Sequence, residues 1–143
     1  MTLADTLEIL RRMALFRALD SARLQIVAMS GEIEVFLPGE RIAEKGERGD
    51  AAFVILEGAV AVLIPSEEGE TRLTTLPPGD IVGELAVLTG NPRSTALVAE
   101  GALTMLRLER DTILELLREF PDVAIEMIKV IADRLDKTNQ LAV

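Results

Sequence analysis

The chain is organised around the stretch Gly79–Ala99, which reads GDIVGELAVLTGNPRSTALVA. In it a carboxylate, Glu84, follows a glycine at the start of a short apolar turn. Nine residues later Arg93 stands between a proline and two hydroxyl residues. Arginine offers a planar fork of donors that fits phosphate oxygens and keeps its proton. A carboxylate only accepts hydrogen bonds, so it suits a pair of hydroxyl groups and not a phosphate. The stretch therefore predicts a site for an anion that also carries sugar hydroxyls.

The backbone of this stretch supports the same prediction. Gly83 lets the main chain come close to a ligand, and free amides at the start of Glu84–Leu88, if that segment is helical, would favour negative charge. The alternative is that Glu84 and Arg93 form a surface ion pair on a hairpin, which requires no ligand.

Composition excludes several classes of function. The 143 residues contain no cysteine and no histidine, which removes disulfides, thiol chemistry, the commonest general base and the commonest metal ligands. We therefore predict no metal, no cofactor and no catalytic residue. Fifteen basic against 24 acidic residues give a net charge of −9, which argues against direct nucleic-acid binding. Apolar runs of about six residues are too short to enter and cross a membrane. No signal peptide is visible, so we predict a cytoplasmic location.

Hydrophobic periodicity divides the chain into three parts within one predicted domain, residues 1–143. Residues 1–31 carry an amphipathic helix over Thr2–Met13 and a second short helix that begins at the N-cap pair Asp20-Ser21 and stops at Gly31. Residues 109–143 carry a helix over Arg110–Glu119, a break before a proline, and a longer helix to about Gln140.

Residues 32–108 show the signature of a β-roll. Turn signals recur every eight to twelve residues and separate seven or eight short strands, which predicts a mainly β domain of jelly-roll type, a double-stranded β-helix with flanking helices. In the first strand Ile33, Val35 and Leu37 alternate with glutamates, and Phe36 is the exception. The predicted strands lie near Glu32–Leu37, Arg41–Glu44, Ala52–Leu56, Ala59–Pro65, Thr71–Leu76, Ser94–Ala99 and Ala102–Leu108.

The central stretch resembles the phosphate-binding cassette of cyclic nucleotide-binding domains of the catabolite-activator and protein kinase A regulatory subunit type. That family shows F-G-E-L-A followed by P-R-S/A/T-A/S, and this chain has VGELA at 82–86 and PRST at 92–95. The glycine order of the preceding strands is similar as well. The resemblance implies that Arg93 binds the cyclic phosphate, helped by Ser94 and by the amides of Leu85 and Ala86, and that Glu84 accepts from the ribose 2′-hydroxyl. Gly83 would allow the close approach, and Thr95 stands where alanine is common.

The long C-terminal helix is similar in register to that of the bacterial catabolite-activator branch. In that branch the helix reaches the adenine, so the resemblance makes Arg134, Thr138 and Asn139 the candidates for base contact; exposed helix residues of this kind are otherwise simply solvated. The helix has two apolar faces, one through Ile128 and Leu135 and one through Val123, Met127 and Val130. Two faces predict packing on the domain with one and on a partner with the other, which makes a homodimer possible. The alternative is one helix broadly buried under the roll.

We therefore predict a regulatory module that binds a cyclic nucleotide and signals through a C-terminal helical lid. Ser94 favours cAMP over cGMP, because family members that prefer cGMP often carry threonine there. A ligand-free structural or dimerisation module on the same roll is the alternative. Enzymes of related fold, such as cupins or glycoside hydrolases, lack support because no histidine set or carboxylate constellation is present. The sequence ends at Val143 without the helix-turn-helix of the transcription factors, so we expect a stand-alone chain or a part of a channel, transporter, kinase-like or DNA-binding protein.

Overall fold

The computed structural model describes the backbone of residues 1–142 and the side chains of residues 1–137. Two helices, joined by a 3-10 turn at Ala14–Phe16, come first: α1 (Leu3–Arg12) and α2 (Ser21–Ser30). Each begins where the sequence supplies a cap. Thr2 and Asp5 form a capping box at α1, and the Asp20 carboxylate accepts from the Arg23 amide at α2. Both predicted N-terminal helices are confirmed.

The middle of the chain is an antiparallel sheet curled into a roll. Its strands follow the order β1-β6-β3-β4, with β2 paired to β6 and β5 paired to β3. The mainly β class with flanking helices is confirmed. The strands are β1 (Glu32–Phe36), β2 (Arg41–Ala43), β3 (Ala51–Ser66), β4 (Gly69–Leu76), β5 (Ile81–Val82) and β6 (Ala96–Glu109).

The prediction of short strands is wrong at two glycines. Gly58 and Gly101 do not end strands; they lie inside β3 and β6 with φ of +87° and +77°. The register between the two strands shifts on both sides of Glu57. A Cβ at Gly58 would lie 2.3 Å from the Ala102 carbonyl oxygen, so glycine lets the partner strand come this close. Irregularities of this kind bend a long strand and increase its twist, which here curls the sheet.

Strand β3 is the centre of the fold because both of its faces are buried. Every residue of Ala51–Leu56 is buried. Phe53 and Ile55 face the inside of the roll, whereas Val54 and Leu56 face the layer under the helices. A strand covered on both sides is expected to be a continuous apolar run and not an alternating one. The roll core and the helix-covered core thus share one strand.

In β1, Phe36, which breaks the alternation of apolar residues and glutamates, faces the core. Phe36 packs against the roll core and pairs with the buried Leu103 of β6. Its apolar neighbours Val35 and Leu37 are 70% and 71% exposed. Strand β1 is hydrogen-bonded only to β6 among the described residues, so its outer side lies at a sheet edge.

Two helices close the chain, α4 (Arg110–Glu119) and α5 (Pro121–Ala142), and they break at Phe120 as predicted. Val123 and Met127 of α5 are buried in the helix-covered core, whereas Ile128 and Leu135 are 65% and 60% exposed. The helix is therefore buried along one face, and the alternative of broad burial is wrong. Within the described residues, no helix is long and apolar enough to cross a bilayer.

Candidate functional site

At the centre of the stretch Gly79–Ala99 is a short helix with a glycine at each end. Strand β5 leads into Gly83, whose φ is +78°, and helix α3 (Glu84–Thr89) follows; it ends at Gly90 with φ of +76°. The predicted helix after Gly83 is confirmed. A Cβ on Gly83 would lie 2.7 Å from Nη1 of Arg93. Glycine is needed here both for the left-handed backbone and for the approach of the arginine.

Arg93 is a buried cation held by backbone. It is 7% exposed, and its guanidinium donates to the carbonyl oxygens of Ala51 at 2.7 Å and Gly83 at 3.4 Å. Its own amide donates to the Glu47 carbonyl, and its carbonyl accepts from the Gly46 amide, both at 2.8 Å. Among the described side chains, no carboxylate lies within ion-pair distance of this guanidinium.

The electrostatics of Arg93 follow from this position. Burial lowers the pKa of its guanidinium, because the charged form is desolvated; the nearby carboxylates of Asp50 and Glu47 act in the opposite direction. Arginine nevertheless stays protonated at physiological pH. The result is a fixed positive charge at the wall of a pocket, with donors left for an anion.

Glu84 is also buried, and its partner is not the one considered from the sequence. It is 4% exposed, and its Oε1 accepts from Nη1 of Arg134 on α5 at 2.6 Å. The second nitrogen, Nη2, donates to the Ile81 carbonyl at 2.6 Å and lies 4.0 Å from Asp80. The alternative of a surface ion pair between Glu84 and Arg93 is therefore wrong.

The structure brings most of the predicted site residues to one cavity of about 630 Å³ between the roll and α5. Leu85 is half exposed, Ser94 is exposed and Thr95 is half-buried at its wall, while Ala86 is buried against the loop at Gly49. The side chains of Thr138 and Asn139 lie outside the described residues. The predicted residues that line the cavity are Gly83, Glu84, Leu85, Ala86, Arg93, Ser94, Thr95 and Arg134.

Sequence reasoning missed several further residues of the cavity wall, most of them apolar. Leu73, Thr74 and Leu76 of β4 line the cavity together with Val130 and Ile131 of α5. No spacing signal marks β4, because the strand is mostly exposed and its role comes from the curl of the sheet. The cavity thus offers an unpaired cation, a buried carboxylate and apolar walls. An anion that is joined to hydroxyl groups and to a flat apolar ring would match this set.

Comparison with known proteins agrees with this geometry. The sequence model of the cyclic nucleotide-binding domain matches residues 33–120. The cyclic nucleotide-gated channel beta-3 of Canis lupus familiaris is 32% identical over 125 residues, which are 85% of this chain and 16% of the channel. The chain spans between 14% and 59% of the length of the first curated relatives that it matches.

Two solved structures show the same fold. The catabolite activator protein of Thermus thermophilus superposes with a TM-score of 0.81 at 27% identity, covering 90% of this chain and 61% of that one. The regulatory domain of Toxoplasma gondii PKA, solved with cAMP, gives a TM-score of 0.73 at 25% identity and covers 79% of this chain and 43% of that one. With its roll, its buried arginine and the match of its sequence to the family model, this chain belongs to the cyclic nucleotide-binding domain family.

Proposed function

We propose that this chain binds a 3′,5′-cyclic nucleotide, preferentially cAMP, in the cavity between the roll and α5, and that it acts as a regulatory module and not as an enzyme. The observation that carries the proposal is Arg93. Its guanidinium is buried, faces a cavity and is bonded only to carbonyls among the described residues. Burying such a charge costs folding free energy unless an anion pairs with it.

The other groups of the cavity fix the orientation of the ligand. The cyclic phosphate lies at Arg93, with the Ser94 hydroxyl and the amides of Leu85 and Ala86 within the same corner. The ribose 2′-hydroxyl donates to Glu84. The base then lies against the apolar wall of β4 and α5, towards Arg134 and the two following candidates, Thr138 and Asn139.

Signalling is proposed to act through α5. This helix lines the cavity and holds the ribose-binding carboxylate through Arg134, so ligand and helix meet at one side chain. A ligand shifts a conformational equilibrium only by its difference in affinity for the two states. Removing Ala132–Val143 should therefore weaken nucleotide binding, while Val123 and Met127 keep the roll covered. Equal affinity in the truncated chain would contradict the lid.

The exposed face of α5 supports a homodimer. Ile125, Ile128, Ala132 and Leu135 are all exposed and follow the spacing 3, 4, 3 of a coiled-coil seam. Two copies that pack through this seam would bury apolar surface that the single chain leaves in water. No nucleic-acid or membrane contact is proposed for this chain.

Calorimetric titration with cAMP, cGMP and 5′-AMP tests the function directly. We expect cAMP to bind most tightly and 5′-AMP least. The ligand-free structural module remains a second candidate, because Glu84 already has Arg134 as a partner in the structure. Absence of heat and of thermal stabilisation with both cyclic nucleotides would favour that candidate and refute the first.

A further inference from the structure

We propose that the cavity selects the charge state of the bound phosphate: it accepts a singly charged phosphodiester and rejects a doubly charged phosphomonoester. This inference rests on the proposed function, since it concerns the phosphate of that ligand. It predicts that the cavity rejects the linear 5′-nucleotide, the product of cyclic nucleotide hydrolysis, in its doubly charged form.

The cavity is lined by charges of both signs. Its cations are Arg93, Arg134 and Lys137, and its carboxylates are Asp80, Glu84 and Asp133. Arg134 pairs with Glu84 at 2.6 Å, and Lys137 pairs with Asp133 at 3.0 Å. Of these cations only Arg93 is without a carboxylate partner among the described side chains. Asp80 also lies 4.0 Å from Arg134, so the three cations and three carboxylates cancel before a ligand binds. A phosphate with one negative charge meets Arg93 and leaves an excess of one negative charge. A phosphate with two leaves an excess of two, for which the described lining residues offer no further cation.

The surroundings of Arg93 are acidic. The loop before β3 places Glu47 and Asp50 near it, and α3 places Glu84 near it. The one further cation nearby, Arg107 of β6, is itself held by Glu34, Asp50 and Glu109. These carboxylates reduce the positive potential at the phosphate position. Because Arg93 is 7% exposed, these carboxylates act on a charge beside it with less screening than they would in solvent.

The charge of a phosphomonoester depends on pH, because it gains a proton near pH 6. The chain contains no histidine, the side chain that ordinarily titrates in the same interval. About 3% of the phosphomonoester is singly charged at pH 7.5 and about 75% at pH 5.5. If only the singly charged form binds, the apparent affinity for the phosphomonoester rises about 25-fold from pH 7.5 to pH 5.5.

The experiment titrates the full chain with three ligands at pH 7.5 and pH 5.5: cAMP, 5′-AMP and the methyl ester of 5′-AMP, which is linear but singly charged. We expect constant affinity for cAMP and for the ester, and for 5′-AMP a rise of about 25-fold on acidification. At pH 7.5 the ester should bind more tightly than 5′-AMP. If cGMP is the cyclic nucleotide that binds, the guanosine ligands replace these.

The outcomes separate the two proposals. Two results would overturn charge selection and leave the proposed function intact, provided that a cyclic nucleotide binds. One is an affinity for 5′-AMP that does not change with pH. The other is an ester that binds as weakly as 5′-AMP at pH 7.5. Failure of both cyclic nucleotides to bind overturns the proposed function and this inference with it.

A substitution in the protein tests the loop carboxylates. Glu47→Gln should reduce the ratio of the affinities for cAMP and 5′-AMP several-fold. The control Glu67→Gln lies on the turn after β3, away from the cavity wall, and should leave this ratio unchanged. An unchanged ratio in Glu47→Gln would contradict the role of the loop carboxylates.

Discussion

Replacing Arg93 with alanine tests the centre of the proposed site. Arg93 is 7% exposed, so a phosphate beside its guanidinium is partly desolvated and depends on this charge. Truncating one partner of such a hydrogen-bonded charge pair costs roughly 2–5 kcal/mol, which is a loss of about 30-fold to a few thousand-fold in affinity. Arg93→Lys should recover only part of the loss, because a point charge cannot reproduce the planar fork.

Arg93→Ala also affects the stability of the fold, and the effect expected from the structure differs from the one that the sequence predicts. From the sequence, an arginine that faces a ligand should hardly affect the fold. In the structure it donates to the carbonyls of Ala51 and Gly83, which lose a donor in the variant. An unsatisfied buried acceptor costs about 1–3 kcal/mol, whereas removal of a desolvated charge returns part of that energy. We expect a moderate net loss of unfolding free energy and a folded variant.

A matched control separates the two effects. Arg110 also donates to a backbone carbonyl beside α3, that of Val87 at 3.0 Å, but it does not line the cavity. Arg110→Ala should lower the melting temperature without changing nucleotide affinity. Calorimetry with cAMP and thermal unfolding without ligand are measured on both variants. Wild-type affinity in a folded Arg93→Ala would refute the assignment of the phosphate site.

Further substitutions test the parts of the site around this arginine. Gly83→Ala and Gly101→Ala introduce a side chain at nearly the same positive φ, but only the Cβ at position 83 meets a neighbour, Arg93. Each variant should lose about 1–2 kcal/mol of unfolding free energy. In calorimetry, only Gly83→Ala should lose affinity for cAMP, by tenfold or more. Arg134→Ala should weaken cAMP binding with little effect on the roll; tighter binding would contradict a supporting role. Ile128→Lys should reduce the mass seen by sedimentation from two chains to one. Val35→Lys, at an equally exposed apolar position on β1, should leave that mass unchanged.

Much of the fold can be predicted from local sequence because local rules decide it. The caps at Thr2 and Asp20, the break at Phe120 and the helix after Gly83 each depend on neighbours within a few residues. The site stretch is also local, since Glu84 and Arg93 lie on one short helix-and-loop segment. Their burial and their place on one cavity therefore follow once the roll forms.

The features that could not be predicted depend on contacts between distant segments. Gly58 is a turn signal by its residue type, yet the pairing of β3 with β6 continues past it. The orientation of Phe36 is set by its partner Leu103, 67 positions along the chain. The partner of Glu84 is Arg134, which approaches only because α5 folds back over the cavity.

This last contact decides how ligand and helix can communicate. If the ribose hydroxyl had to displace Arg134 from Glu84, the ligand would release α5, and removal of the arginine would strengthen binding. The geometry instead favours an arrangement in which Glu84 binds Arg134 and the ribose hydroxyl at the same time. The guanidinium bonds to Oε1, and a carboxylate oxygen accepts more than one hydrogen bond, so Glu84 can hold the arginine and a hydroxyl together. Displacement would also leave the Glu84 carboxylate, in a residue that is 4% exposed, without this charged partner, which a neutral hydroxyl replaces only in part. A shared carboxylate makes the ligand and the closed helix support each other, which is the coupling that a regulatory lid requires.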